Sequence, residues 1–226
     1  MATTIDQFTV VVVGRLNPPI HHPTWYEGIG ALSREETAAA MKAETVLVHP
    51  KASRLTAGGM AISCDENRWS IVTDSEETAQ RAVDVAAKVF ASLKHTPVRA
   101  YGFNFVHHRT TRVKDVTSYF TGLVESLPLG LRVGENVGDG ASISYSCKRD
   151  NQVLNLQVEP SQIITPAGVF LSVNVHYSAP STPGPFDLSK LLETGFKEAR
   201  HADAEQLKSL LTGIAGARET SSHAPT

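Results

Sequence analysis

Residues 142–178, SISYSCKRDNQVLNLQVEPSQIITPAGVFLSVNVHYS, decide the fold. SISYSC, QVLNLQVEP and VFLSVNVHYS each alternate apolar and polar residues, and side chains along a strand point to opposite faces in turn. Ile143, Tyr145 and Cys147 therefore share one face with Leu154, Leu156 and Val158 and with Leu171, Val173, Val175 and Tyr177. This spacing predicts an antiparallel meander with one apolar side. The other side carries Ser142, Ser144 and Ser146, then Asn155 and Gln157, then Ser172, Asn174 and His176. A sheet face that meets only water commonly carries Lys, Glu and Thr. A Ser/Asn/Gln face instead suits a self-association surface, a protein partner or a groove for a polar ligand.

Outward from the meander the same reading extends along the chain. Phe8 to Val13 is a β-branched run, expected to be a strand covered on both faces. NPPIHHPTWYEG (17–28) then leaves that strand. Pro18, Pro19 and Pro23 remove backbone donors, which predicts a stiff loop outside any ladder, pinned by Ile20 or Trp25. Ser33 followed by Glu36 is a capping box opening an Ala-rich helix. TVLVHP reads as a short strand, and GGMAISC with RWSIVTD as a hairpin across Asp65-Glu66-Asn67. A helix from Asp74 or Ser75 to about Lys94 carries Ala79, Ala82, Val83, Ala86, Val89, Phe90 and Leu93 on one stripe, and VRAYGFNFVHH returns as a strand. DVTSYFTGLVESLP predicts a helix stopped by Pro128, SAPSTPGPF a stiff connection, and DLSKLLETGFKEAR a last helix. Asp203 and Gln206 repeat the capping-box pattern, so that helix either resumes or starts again there.

The halves echo each other. GMAISCDENRWSIVTDS and GASISYSCKRDNQVLNLQVEPS both run strand, Ser-Cys, charged turn, strand, and aligning Cys64 with Cys147 gives an offset of 83 (147 minus 64). The same offset places the helix start at Ser33 on Val116, and TVLVHP on LPLGLRV. The expected fold is α+β: a mainly antiparallel sheet in two related helix-plus-meander halves, with helices packed on one side. Residues 1–113 and 114–214 form the halves, and 215–226 are expected to be a disordered tail.

LNPPI near the N-terminus, RWSIVTDSEE…FNFVHH in mid-chain, and LSVNVHYS…DLSKLLETGF near the end resemble an uncharacterised, sporadically distributed bacterial family whose members open with Asn-Pro-Pro. The resemblance follows most of the chain in order. It implies a bacterial protein and carries over no catalytic residue, since that family has no established activity.

Composition narrows the function classes. With 21 Lys+Arg against 23 Asp+Glu the net charge is -2, which gives no electrostatic footprint for nucleic acid. No apolar run is long enough for a membrane span or signal peptide, and two cysteines without CxxC spacing fit a reducing compartment, so the expectation is a cytoplasmic protein. Cys64 and Cys147 read as small core hydrophobes. There is no GxSxG elbow, and Gly28-x-Gly30 before the Ser33 cap reads as helix entry. Of nine histidines, four form the adjacent pairs His21-His22 and His107-His108. His107 is in phase with apolar Phe105 and His108 with polar Asn104. A metal site would need the N-terminal loop to fold over the end of that later strand, and no HxH or HExxH spacing supports one.

The leading expectation is therefore a non-enzymatic binding or assembly protein without a cofactor, acting as a homo-oligomer or with a protein partner. Its binding residues would be Trp25, Tyr26, Ser144, Asn155, Gln157, Asn174 and His176. The alternative is an enzyme or a small-ligand or metal-binding protein with its site where His21-His22 meets His107-His108.

Overall fold

The computed structural model describes residues 6–43, 45–125, 142–179 and 187–220. The expected stop at Pro128, the LPLGLRV segment, most of the SAPSTPGPF connection and residues 221–226 lie outside them. In chain order the elements are β1 (Gln7–Gly14), a 3-10 turn (Pro18–Ile20), α1 (Pro23–Gly28) and α2 (Arg34–Lys42). There follow β2 (Leu47–His49), β3 (Ala52–Ala57), β4 (Met60–Asp65), β5 (Arg68–Thr73), α3 (Glu76–Ser92) and β6 (Val98–Thr110). The chain continues with α4 (Val116–Glu125), β7 (Ile143–Arg149), β8 (Gln152–Pro160), β9 (Gly168–Ser178) and α5 (Leu188–Thr220).

All nine strands form one antiparallel sheet, in the order β2-β3-β4-β5-β1-β6-β9-β8-β7. The fold is α+β, as the alternation predicts. β1 and β6 pair at the centre, Phe8 opposite Phe105 and Val10 opposite Phe103. Outward from this pair, β5, β4 and β3 on one side hold the places of β9, β8 and β7 on the other. By place in the sheet, β4 corresponds to β8 rather than to β7, so Cys64 and Cys147 sit at non-equivalent positions. The two halves share this sheet and one continuous core.

Helices cover one face. Phe8, Val10 and Val12 of β1, Ile71 of β5, Phe103 and Phe105 of β6, and Val173 and Val175 of β9 are fully buried beneath them. α3 supplies Ala82, Val83, Ala86 and Val89, and α5 supplies Leu192, Phe196 and Leu207. Phe196 packs edge-on against Phe8 at 5.2 Å and lies 5.8 Å from Phe103. The capping box at Ser33 is present on both sides, Glu36 N–H donating to Ser33 Oγ and Ser33 N–H to a Glu36 carboxylate oxygen. Ser75 caps α3.

β3 is an element the sequence reading passed over. Ser53, Leu55 and Ala57 point to the helices while Arg54 and Thr56 point away. Gly58 and Gly59 then turn the chain into β4 with φ of 55° and 74°, the left-handed pair that a two-residue hairpin requires. A Cβ on Gly58 would lie 2.3 Å from the Glu36 carboxylate.

Two expectations need correction. β1 is not buried alike on both faces: Val11 and Val13, away from the helices, are only half-buried. α5 neither stops nor restarts near residue 200; it is one helix of 33 residues that reaches Thr220, into the stretch expected to be disordered. Asp203 is not a cap. It is fully buried in the helix interior, where its carboxylate accepts from His107 Nε2 at 2.6 Å and from Arg200 at 2.7 Å. Arg200 also reaches Glu76 at the start of α3 at 2.5 Å. The arrangement ties β6, α5 and α3 together. Arg109 fixes the histidine tautomer: a guanidinium only donates, so its approach to His107 Nδ1 at 3.2 Å makes that nitrogen the acceptor and leaves Nε2–H to face Asp203.

Removing the buried Asp203 carboxylate strands the His107 Nε2–H and the Arg200 guanidinium that donate to it. Asp203→Ala is expected to lower stability by about 3–5 kcal/mol, whereas the joint change His107→Phe with Asp203→Leu costs much less. Urea unfolding of the three proteins checks this; a loss below about 1 kcal/mol in Asp203→Ala would show that the pair does not anchor α5.

Candidate functional site

No helix among the described residues covers the other face of the sheet, and register places its residues in rows. One row runs Thr56, Ala61, Val72, Thr9, Asn104, Asn174, Asn155, Ser146, from β3 to β7 across eight strands. It contains no charged residue. The row on one side runs Gln7, Val106, Ser172, Gln157, Ser144 and is likewise uncharged. The row on the other side, Arg54, Ser63, Ser70, Val11, Gly102, His176, Val153, Lys148, carries its two formal charges only at its ends.

Several polar groups on this face bond to each other, while Gln157 donates to the Glu159 carboxylate at 3.0 Å. Ser146 Oγ donates to Asn155, whose amide nitrogen donates to Asn174 at 3.1 Å, and Asn174 in turn donates to Asn104. Ser63 and Ser70 pair through their hydroxyls at 3.0 Å. A shallow groove of about 280 Å³ lies over Ser144, Ser146, Asn155, Gln157, Ser172 and Asn174. Gly102 keeps the centre flat: a Cβ there would meet the Val175 carbonyl oxygen at 2.7 Å. The structure thus places Ser144, Asn155, Gln157, Asn174 and His176 together on one face, where alternation put them. Sequence alone did not show that Thr9, Val11, Val72 and Asn104 extend this face across the whole sheet. Their own alternation within FTVVVV and YGFNFV was the available signal.

Trp25 and Tyr26 do not belong to it. The loop expected after β1 is a 3-10 turn and the short helix α1, with Pro23 in its first turn and His22 as its cap, Nδ1 accepting from Thr24 N–H. Tyr26 is fully buried on the helix side of the sheet, where its hydroxyl accepts from Trp69 Nε1 at 3.0 Å and lies 2.9 Å from His21 Nδ1. Trp25 lies edge-on to the His21 ring at 5.4 Å and is half-buried. These aromatics close the end of the core.

The paired histidines do not converge. His21 packs where β1 ends and β6 begins, while His107 and His108 sit nine and ten residues beyond Val98, towards the far end of β6. At about 3.4 Å per residue the two pairs are roughly 30 Å apart. His107 serves the Asp203 pair. His108, on the open face, bonds Ser161 Oγ through Nδ1 at 2.8 Å and packs on Phe170. No group of three or more His, Cys, Asp or Glu able to hold a metal occurs among the described residues. Cys64 is buried, with its thiol pushed up to about 12 by burial and by the charge of Asp65. Cys147 is only half-buried, because β7 overhangs the helical layer and leaves Tyr145 59% exposed.

No protein-family model matches the chain, and no curated protein matches it. No helix among the described residues is long and apolar enough to cross a membrane.

Burial holds the pKa of His21 down to about 4 from 6.5. The unfolded chain therefore binds a proton between those values that the folded chain refuses. Stability is full above about pH 6.5 and falls as pH drops towards 4, by a total of order 3 kcal/mol from this residue. Urea midpoints measured across that window should show a steeper fall in the wild type than in His21→Phe. Equal slopes would mean that His21 titrates as it does in the unfolded chain.

Proposed function

We propose that this chain is a non-enzymatic assembly protein that pairs through the open face of its sheet, most simply with a second copy. One observation carries the reading: the central row of the face carries no charge from β3 to β7, the charged Arg54, Asp65, Arg68, Lys148 and Glu159 stand at its rim, and the amide chain and serine pair across it are hydrogen-bonded internally. Covering a polar group is unfavourable chiefly when it loses its partners. Here the amide chain and the serine pair keep theirs, so a partner can exclude water from the face at little penalty. Depletion of charge at the centre with charge at the rim is also the pattern of protein interfaces.

Size supports the same reading. Rows of eight, five and eight residues, each residue covering about 4.8 Å by 6.8 Å, give a patch of about 690 Å² in plane, approaching the roughly 800 Å² that each partner contributes to a standard interface. Two such faces stack about 10 Å apart in sheet-on-sheet packing, and a two-fold axis makes one patch serve both copies.

Light scattering behind size exclusion tests the proposal. The wild type is expected at twice the chain mass, and Ser172→Lys, which sets like charges against each other across a two-fold interface, at the chain mass. Arg54→Gln, at the rim, should stay double. A wild-type monomer at about 1 mM, or a Ser172→Lys protein that remains a dimer, would overturn it.

A further inference from the structure

A second surface, away from the open face, has the makings of a ligand site. Where β1 ends and α3 turns into β6, the segments 15–21 and 92–97 border an open pocket of about 410 Å³, within the range of about 300–1,000 Å³ usual for small-molecule sites. Its walls are held rigidly. Arg15 N–H donates to the Pro97 carbonyl at 2.9 Å, Leu16 N–H to that of Glu66 at 2.9 Å, and Thr96 N–H to that of Leu93 at 3.0 Å. Leu16, Ile20, Leu93 and Pro97 make its apolar lining. Arg15, Lys94 and His95 stand around that lining, exposed, and among the described residues their side chains form no hydrogen bond or ion pair. Among the described residues no Asp or Glu lines the pocket.

Lys94 and His95 alone have an ordinary explanation, since cations just past a helix end complement its dipole. Arg15 does not share it. It comes from a different segment and brings a third donor group to the same opening. His21 adds an independent observation. Trp69 N–H donates to the Tyr26 oxygen, so the Tyr26 O–H is free to donate to His21 Nδ1, which places the histidine proton on Nε2. That nitrogen is buried, has no partner among the described residues, and belongs to a side chain that lines the pocket. The hydrogen-bonded chain thus ends in an unsatisfied donor.

We propose that this pocket binds a small amphiphilic anion, its carboxylate or phosphate held by Arg15 and Lys94 and its hydrocarbon body lying on Leu16, Ile20, Leu93 and Pro97. The charge-assisted contacts select an anion, and the apolar lining selects against inorganic ions. The site is independent of pairing through the open face and survives if that pairing fails.

Titration of the full chain with octanoate, octyl phosphate and octylammonium, followed by two-dimensional amide NMR, tests it. Both anions are expected to shift the amides of Arg15, Leu16, Asn17, Lys94 and His95 along one saturating curve, and octylammonium to leave them in place. Arg15→Ala and Lys94→Ala should each weaken octanoate by about fivefold or more with unchanged unfolding midpoints, because both side chains are exposed and unpaired. Arg54→Ala, on the open face, should bind as the wild type does. Absence of shifts at these amides up to about 10 mM would overturn the proposal. So would an equal response to octylammonium, or wild-type binding by both pocket variants.

Discussion

Period-two alternation along nine paired strands sorts the side chains of this protein into two populations, and everything else is arranged around that division. On one face lie Phe8, Val10, Phe103, Phe105, Val173 and Val175, which need a cover and receive it from α3 and α5. On the other lie threonine, serine, asparagine and small aliphatic residues, with charged residues at the rim and a serine pair and an amide chain bonded across the strands. A slip of one residue in any central strand would exchange the populations, so register is strongly specified. Single-sided cover is the constraint from which both the helical layer and the open surface follow.

The helical layer is fastened at two places by polar groups inside apolar surroundings. Asp203 receives His107 from the sheet and Arg200 from its own helix, and Arg200 carries the link to Glu76 on α3. At the opposite end of the sheet, Trp69, Tyr26 and His21 form a hydrogen-bonded chain that seals the core beneath the N-terminal segment. Groups of this kind add little net free energy, but unpaired alternatives are unfavourable, and that penalty restricts how the helices can sit.

Much of this was legible in the chain. Strand alternation in 142–178, the Ser33 capping box and the α3 stripe each state a local preference that agrees with the tertiary outcome, which is when sequence reasoning works. The failures have specific causes. Asp203 resembled a cap because Asp followed three residues later by Gln is a capping pattern. Yet Leu192, Phe196, Ala199, Asp203, Leu207 and Ile214 keep one uninterrupted helical phase, and a buried carboxylate in that stripe calls for a partner such as His107. β3 is only six residues long and carries three polar side chains, so its pattern is weak; Gly58-Gly59 was the stronger sign. HHPTWY suggested a site because histidine and aromatic residues are common in sites. Those side chains are used instead to plug one end of the core, and nothing local distinguishes that use. The full width of the open face was invisible because it depends on which strands become neighbours.

The central claim is that the open face, neutral along its central row, is an interface between faces rather than between edges. Small-angle X-ray scattering at rising protein concentration tests it directly, since the two modes differ in shape. Nine strands at about 4.8 Å make a sheet about 43 Å wide. Stacked faces predict a doubled mass in a compact particle whose longest dimension grows little. An eighteen-strand sheet joined at its edges, about 86 Å across, or a particle that keeps the mass of one chain throughout, would contradict the account.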